Sequence, residues 1–222
     1  LNMSGNYWSN IFRDTGEAWG PFPGDQPDKD HPWIGDPDGP GCDRVMFSSV
    51  PPPDGSVCEQ MENARKVRWA MAMAIDRDLL VDTVMDGLGR SAYTDGLPDS
   101  EFSKDQPGGL WHIPYDPDKA KQYLTEAGYP DGFDLHMWDG VDYNKYLAEP
   151  VAQMFEDIGI KVTIDSTAYD AYRPRFVDRS IDFPYFHGGD IRLIDSVAPG
   201  GRLPSLGGVQ GIEIPNQLVE YA

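Results

Sequence analysis

The stretch "YDPDKAKQYLTEAGYPDGFDLHMW", residues 115–138, contains a helix start, a helix stop and a strand in direct succession. Asp116 can cap a helix with its carboxylate, and Pro117 suits the first helical position. Gly128 can adopt the left-handed conformation that ends helices, and Pro130 prevents the helix from continuing. We therefore predict a short helix that turns straight into the strand "FDLHMW".

The same order of elements continues downstream. Residues 144–160, "NKYLAEPVAQMFEDIGI", are predicted to form a helix because apolar residues recur at helical spacing, namely Leu147, Val151, Met154, Phe155 and Ile158. The following "IKVTID" alternates like a strand. A strand, a helix and a second strand in this order predict a crossover connection, and hence an α/β fold with helices packed against a sheet.

Upstream, the longest helical pattern runs from Met61 to about Met85. Its apolar stripe, which we predict to be core, consists of Val67, Ala70, Met71, Ala74, Ile75 and Leu79. Asp76 interrupts this pattern. We predict that one helix ends near Ile75 and that a second begins with Asp76 as its cap.

Composition limits the function classes. The chain has 222 residues, 18 basic and 37 acidic, which gives a net charge of −19. This charge argues strongly against a nucleic-acid partner and more weakly against an anionic membrane surface. No apolar run is long enough to span a bilayer. The acidic surface fits simple solubility, a salty exterior or the capture of cations, and charge alone does not choose among these.

The two cysteines, Cys42 and Cys58, flank a proline-rich segment. From the residues alone they form either a disulfide, which would place the chain outside the reducing cytosol, or two unpaired thiols. They lack the paired spacing of a zinc site, and the four histidines are scattered, at His31, His112, His136 and His187. We predict neither a metal nor a cofactor.

Three segments differ in character. Residues 1–44 are rich in Gly, Pro and Asp with dispersed aromatic residues, which favours ordered irregular structure. Residues 45–195 carry the helix and strand patterns and form the predicted main α/β unit, and residues 196–222 form a C-terminal segment. The first residues have neither an initiator methionine nor the design of a signal peptide, so we interpret them as the interior of a longer chain.

Three motif groups occur in order: "ENARKVRWAMAMAIDRDLLVDTVMDGLGRSAYTDGLP", "YDPDKAKQYLTEAGYPDGFDL" and "AEPVAQMFEDIGIKVTIDSTAYDAYRPRF". In these motifs the sequence strongly resembles the peptide/nickel-type (family 5) solute-binding proteins of ABC transporters, which include the dipeptide- and oligopeptide-binding proteins. The resemblance covers about residues 44–195. It implies one lobe of a bilobed type II periplasmic-binding-protein fold, with a mixed sheet flanked by helices, and a second lobe outside this sequence.

The resemblance also implies a function. The chain would be part of the solute-binding component of an ABC importer, a monomer that captures a small polar solute such as a peptide between its lobes and delivers it to a membrane permease. Its location would be periplasmic or extracellular, with a membrane anchor through a preceding segment left open. The solute class stays open among peptides, sugars and nickel complexes.

The ligand site implied by the resemblance lies at strand ends. In "HGGD", Asp190 matches an aspartate that pairs with a peptide's ammonium, and His187 stands at an aromatic position, with Gly188 and Gly189 between them. From the residues alone, Asp190 could equally cap the next turn. Asn144 matches a ligand-contacting position, whereas Trp138 is either a ligand platform or core.

Two other function classes remain open. So many carboxylates could supply the acid and base of a glycoside hydrolase, but no nucleophile elbow, phosphate loop or His-Glu-x-x-His motif is present. A cell-surface interaction module with the same fold is the third reading. We predict a binding protein without catalysis.

Overall fold

The computed structural model describes residues 31–33, 59–91, 107, 109, 112–140, 145–177, 183, 184 and 186 of the chain. The predicted α/β class is confirmed. The elements, in chain order, are α1 (Glu59–Ala74), α2 (Arg77–Thr83), α3 (Pro117–Glu126), β1 (Asp134–Trp138), α4 (Lys145–Glu156), β2 (Lys161–Asp165) and α5 (Tyr169–Val177).

The predicted break between the first two helices is confirmed. α1 ends at Ala74, and the Asp76 carboxylate accepts a hydrogen bond from the Leu79 backbone N–H at 2.9 Å, as a helix cap does. The prediction that Leu79 belongs to the core is wrong, because its side chain is 48% exposed. The break resets the helical phase, so that Leu80 is buried instead.

The helix in the opening stretch also has the predicted ends. The Asp116 carboxylate accepts a hydrogen bond from the Lys119 N–H at 2.9 Å, and Pro117 is the first residue of α3. Gly128 has a φ of +96°, which is the left-handed conformation expected after the helix. Ala120 and Leu124 are buried, and α3 packs against α1.

β1 and β2 pair in parallel, with Leu135 opposite Val162 and Met137 opposite Ile164. α4 connects them and packs against β2, which confirms the predicted crossover. Leu135 and Met137 face the main core beneath the helices, whereas His136 and Trp138 lie on the other face because side chains alternate along a strand.

A third chain segment runs beside β1 on the side away from β2. The Trp138 N–H donates to the Pro184 carbonyl at 3.2 Å, and the Phe186 N–H donates to the Trp138 carbonyl at 3.1 Å. This alternation is the hydrogen-bond pattern of a parallel neighbour. Within the described ranges the pairing is therefore parallel, which is only the parallel component of the predicted mixed sheet.

The turns that precede β1 and β2 touch at the amino edge of the sheet. Gly132 has a φ of +73°, and a Cβ atom at this position would overlap the carbonyl oxygen of Gly159. The close backbone approach therefore requires glycine at residue 132.

The core takes in a residue from far upstream. Trp33, within the segment predicted to be irregular, is fully buried in the main core, and the Arg68 guanidinium donates to its carbonyl at 2.6 Å. Among the helices in the described residues, none has the length and apolar character needed to cross a membrane.

Candidate functional site

The carboxyl edge of the sheet collects the ends of three chain segments. β1 ends at Trp138, β2 ends at Asp165, and the third segment reaches the same edge at Phe186. The ladder continues one residue further, because the Asp139 N–H donates to the Asp165 carbonyl at 2.9 Å. In open α/β sheets, ligands bind in the crevice outside the carboxyl ends of the strands. This edge is therefore the candidate site.

Asp139 is a buried carboxylate at this edge that the sequence analysis missed. The residue is 4% exposed. Its Oδ2 accepts a hydrogen bond from the Ser166 hydroxyl at 2.5 Å, but its Oδ1 has no hydrogen-bond partner among the described residues. The signal that could have found it is a carboxylate placed directly after a buried strand.

Gly140 brings two backbones together next to Asp139. Its φ is +86°, and a Cβ atom there would overlap the carbonyl oxygen of Phe186. Only glycine fits this combination of positive φ and close contact. The contact fixes the position of Phe186 beside the end of β1, at the point from which the chain continues toward residues 187–190.

The outer face of the sheet carries a polar cluster formed by His136, Asp165 and Tyr172. The Asp165 carboxylate accepts hydrogen bonds from the Thr167 N–H at 2.8 Å and from the Tyr172 hydroxyl, and it lies 3.5 Å from the His136 imidazole Nε2. Burial alone would raise the pKa of Asp165. The hydrogen bonds from Thr167 and Tyr172, together with nearby His136, outweigh burial and hold the pKa below its ordinary value.

Trp138 is fully buried in an aromatic cluster with Tyr172, Phe183 and Tyr169. Its indole N–H donates to the Thr167 carbonyl at 2.7 Å. The ring stacks on Tyr169 at 6.3 Å between centroids and contacts Tyr172 at 4.8 Å. In this conformation Trp138 anchors α5 to the sheet, and its predicted contact with ligand stays a prediction.

The other predicted site residues lie outside the described residues. They are Asn144, His187, Gly188, Gly189 and Asp190, and the same holds for the disulfide candidates Cys42 and Cys58. The described neighbours come close in sequence: Gly140 and Lys145 flank the segment with Asn144, and Phe186 directly precedes His187. Within the part of the chain that the structure describes, no group of three acidic, histidine or cysteine residues could hold a metal ion.

Comparison with known families gives a match over most of the motif-bearing region. Residues 58–189 match the family model described as bacterial extracellular solute-binding proteins, family 5 Middle. This range covers the two strands and five helices of the described residues and the candidate edge.

Individual relatives match about half of the chain. Heme-binding protein A from Haemophilus influenzae is 34% identical over 116 residues, which are 50% of this chain and 21% of the relative. A glutathione-binding protein from Salmonella choleraesuis is 40% identical over 110 residues, 48% of this chain and 20% of the relative. The chain thus spans about a fifth of the length of these curated relatives.

One solved structure with a similar sequence is a dipeptide-binding protein from Pseudoalteromonas sp. SM9913 in complex with Met-Leu. It is 30% identical, and the match covers 53% of this chain and 24% of that chain with a TM-score of 0.45. These three proteins are all named for binding a ligand.

Proposed function

The chain belongs to the bacterial extracellular solute-binding proteins of family 5, and from that premise we propose that it is part of the ligand-capturing component of an ABC importer. The observation that carries this proposal is the family match over residues 58–189. The whole protein takes up a small polar solute, such as a peptide, in a cleft between two lobes, and this chain contributes to one of them.

The arrangement of strand ends supports a binding site at the carboxyl edge. Asp139 and Ser166 follow the two strands directly, and the Gly140 contact holds Phe186 alongside. His187 to Asp190 continue from Phe186, and Asn144 lies a few residues after Gly140. We propose that these residues complete the site around the edge, with Trp138 supporting it from beneath.

The charge of the site favours a solute with a positive end. Asp190 is proposed to bind the solute's ammonium group, because a carboxylate in a partly dehydrated cleft forms a strong charge-assisted hydrogen bond with a cation. The three relatives named above are called heme-, glutathione- and dipeptide-binding, so the solute class differs between family members. We propose a peptide here.

The cellular setting follows from the family. Family 5 proteins are extracellular solute-binding proteins, so the ligand is captured outside the cytoplasm. We propose that the protein acts as a monomer, that it delivers its solute to an ABC permease in the membrane, and that it does not catalyse a reaction on the solute. We also propose that the α/β ligand-binding lobe spans residues 45–195 of this chain.

The first experiment measures the melting temperature of the full-length protein with a panel of dipeptides, oligopeptides, oligosaccharides and nickel chelates. A ligand that binds only the folded state must raise its stability. We expect an upward shift with at least one peptide. If no compound in the panel shifts the melting temperature and the protein hydrolyses a glycoside, the proposed binding function is wrong and the protein is a hydrolase.

A second experiment tests Asp190 directly. Asp190→Asn should weaken the binding of a peptide with a free amino terminus by about 1.5–3 kcal/mol, the usual size of a hydrogen bond to a charged group. The matched control is Asp131→Asn, which removes the same charge from an exposed turn. An unchanged affinity in Asp190→Asn by titration calorimetry would remove this residue from the site.

A further inference from the structure

At the candidate edge Asp139 directly follows β1 and Asp165 ends β2, and the two carboxylates differ in their hydrogen-bond partners. Asp165 has both carboxylate oxygens occupied, Oδ1 by the Thr167 N–H and Oδ2 by the Tyr172 hydroxyl. Asp139 has one oxygen occupied, by Ser166, and its Oδ1 has no donor among the described residues. Asp139 is also the more deeply buried of the two.

An ionisable oxygen that is buried without a donor destabilises the folded protein, because it has lost its water and gained nothing in return. Native structures contain few such groups, and each calls for a reason such as a functional role. The edge at which Asp139 lies is where ligands of open α/β sheets bind. The donor that Oδ1 lacks can therefore arrive with the solute.

We propose that Asp139 Oδ1 binds a primary ammonium group of the solute, separate from the amine assigned to Asp190, and so selects peptides that carry a basic side chain. This inference rests on the proposed function. An ammonium fits better than a neutral donor, because the Ser166 hydroxyl satisfies one oxygen of the carboxylate without offsetting its charge. A hydrogen bond between two charged groups is about twice as strong as a neutral one.

The burial of the oxygen limits the size of the donor. Oδ1 exposes less than 1 Å² to solvent, so neighbouring groups must move for any donor to reach it. The ammonium at the end of an unbranched chain needs less room than a planar guanidinium, which forms two parallel hydrogen bonds. Lysine has this geometry, and arginine does not.

The test compares two dipeptides that differ in one group. Ala-Lys ends its side chain in an ammonium, and Ala-norleucine ends a side chain of nearly the same length in a methyl group. With the full-length protein, titration calorimetry should give about tenfold or greater preference for Ala-Lys. Asp139→Asn should bring the two affinities close together. Asp157→Asn, which changes an exposed carboxylate at the end of α4, should leave the preference unchanged.

The melting temperature provides an independent readout. Asp139→Asn removes the charge of a buried, half-occupied carboxylate, so the ligand-free variant should melt at a higher temperature than the unchanged protein while it loses the preference for Ala-Lys. A site kept for function at the expense of stability has this combination of effects.

Four outcomes would overturn the inference. Equal affinities for the two dipeptides in the unchanged protein would do so while leaving the proposed function intact. If Asp139→Asn melts at a higher temperature but keeps the preference for Ala-Lys, the unpaired Oδ1 only destabilises the fold and does not bind the solute. Binding of an uncharged oligosaccharide and of neither dipeptide would overturn the inference and keep the solute-binding function, whereas binding of nothing in the whole panel would remove both.

Discussion

The two faces of the β1–β2 sheet carry different kinds of side chain. The inner face is apolar: Leu135 and Met137 pack under the helices with Phe155. The outer face combines aromatic rings with a polar cluster, in which Asp165 is bound by Tyr172 and lies near His136. The inner face holds the fold by excluding water, and the outer face holds α5 by specific hydrogen bonds. The first should tolerate changes in pH, and the second should respond to them.

The inner face is tested most severely by Phe155→Ala. Phe155 is fully buried in α4, and removing its ring leaves a cavity that the surrounding side chains fill only in part. We expect the free energy of unfolding to fall by about 3–5 kcal/mol in urea denaturation. Gln153→Ala, two residues earlier on the exposed side of α4, is the control and should change it by less than about 0.5 kcal/mol. Equal effects would contradict the division between the two sides of α4.

Gly140→Ala tests the carboxyl edge of the sheet. Both the positive φ and the overlap with the Phe186 carbonyl oppose a methyl group, so we expect a loss of about 2–5 kcal/mol. Gly87→Ala is the matched control, because Gly87 has a φ of +73° with nothing within 4 Å of the added atom. Its loss should be about 1–2 kcal/mol. A loss in Gly140→Ala no larger than in Gly87→Ala would mean that the third segment moves aside readily.

The outer face is tested by Tyr172→Phe, which removes only the hydroxyl that donates to Asp165. A hydrogen bond to a charged group stabilises by about 1.5–3 kcal/mol, and we expect the lower end because Asp165 is only partly buried and keeps its bond from Thr167. Thermal unfolding measures the change. Tyr146→Phe, at a half-exposed ring in α4, should have no measurable effect. If the two variants melt alike, the hydrogen bond from Tyr172 to Asp165 does not stabilise the attachment of α5.

The smallest effect distinguishes the faces by pH. The pKa of Asp165 is lower in the folded protein than its ordinary value of 3.8, so the folded state binds the proton less readily than the unfolded state. The resulting stability is fully present above that ordinary value and is lost as the pH falls through the lower, folded pKa. Asp165→Asn should therefore flatten the acid limb of the curve of melting temperature against pH. An unchanged acid limb in this variant would contradict the pKa shift.

Local signals explain which parts of the fold were predictable. Asp76 and Asp116 cap their helices, and Gly128 ends α3 in the left-handed conformation, because each is decided by hydrogen bonds or backbone sterics within a few residues. The prediction for Leu79 is wrong because it continues the helical spacing of α1 across the break at Asp76, where the phase of the helix changes. The burial of Trp33 in the core depends on contacts with residues distant in sequence, which no local pattern reports.

The site was less accessible to prediction for the same reason. The edge could be expected from the order of strand, helix and strand, since parallel strands bring their carboxyl ends together. The unpaired oxygen of Asp139 could not be predicted, because the donors available to a carboxylate depend on which residues the fold brings next to it. The sequence also left Trp138 open between platform and core, and the structure buries its ring in an aromatic cluster.

The contact between Gly132 and Gly159 has a consequence for how such a chain can diversify. At the amino edge the two backbones are in direct contact, so any side chain larger than hydrogen at residue 132 would collide with the Gly159 carbonyl. If the binding site lies at the opposite edge as proposed, mutations that alter ligand preference without cost to folding are expected there, away from Gly140. In a directed-evolution library, substitutions around Asp139 and Ser166 should yield folded variants with new preferences, and substitutions at Gly132 should disappear in the first round of selection.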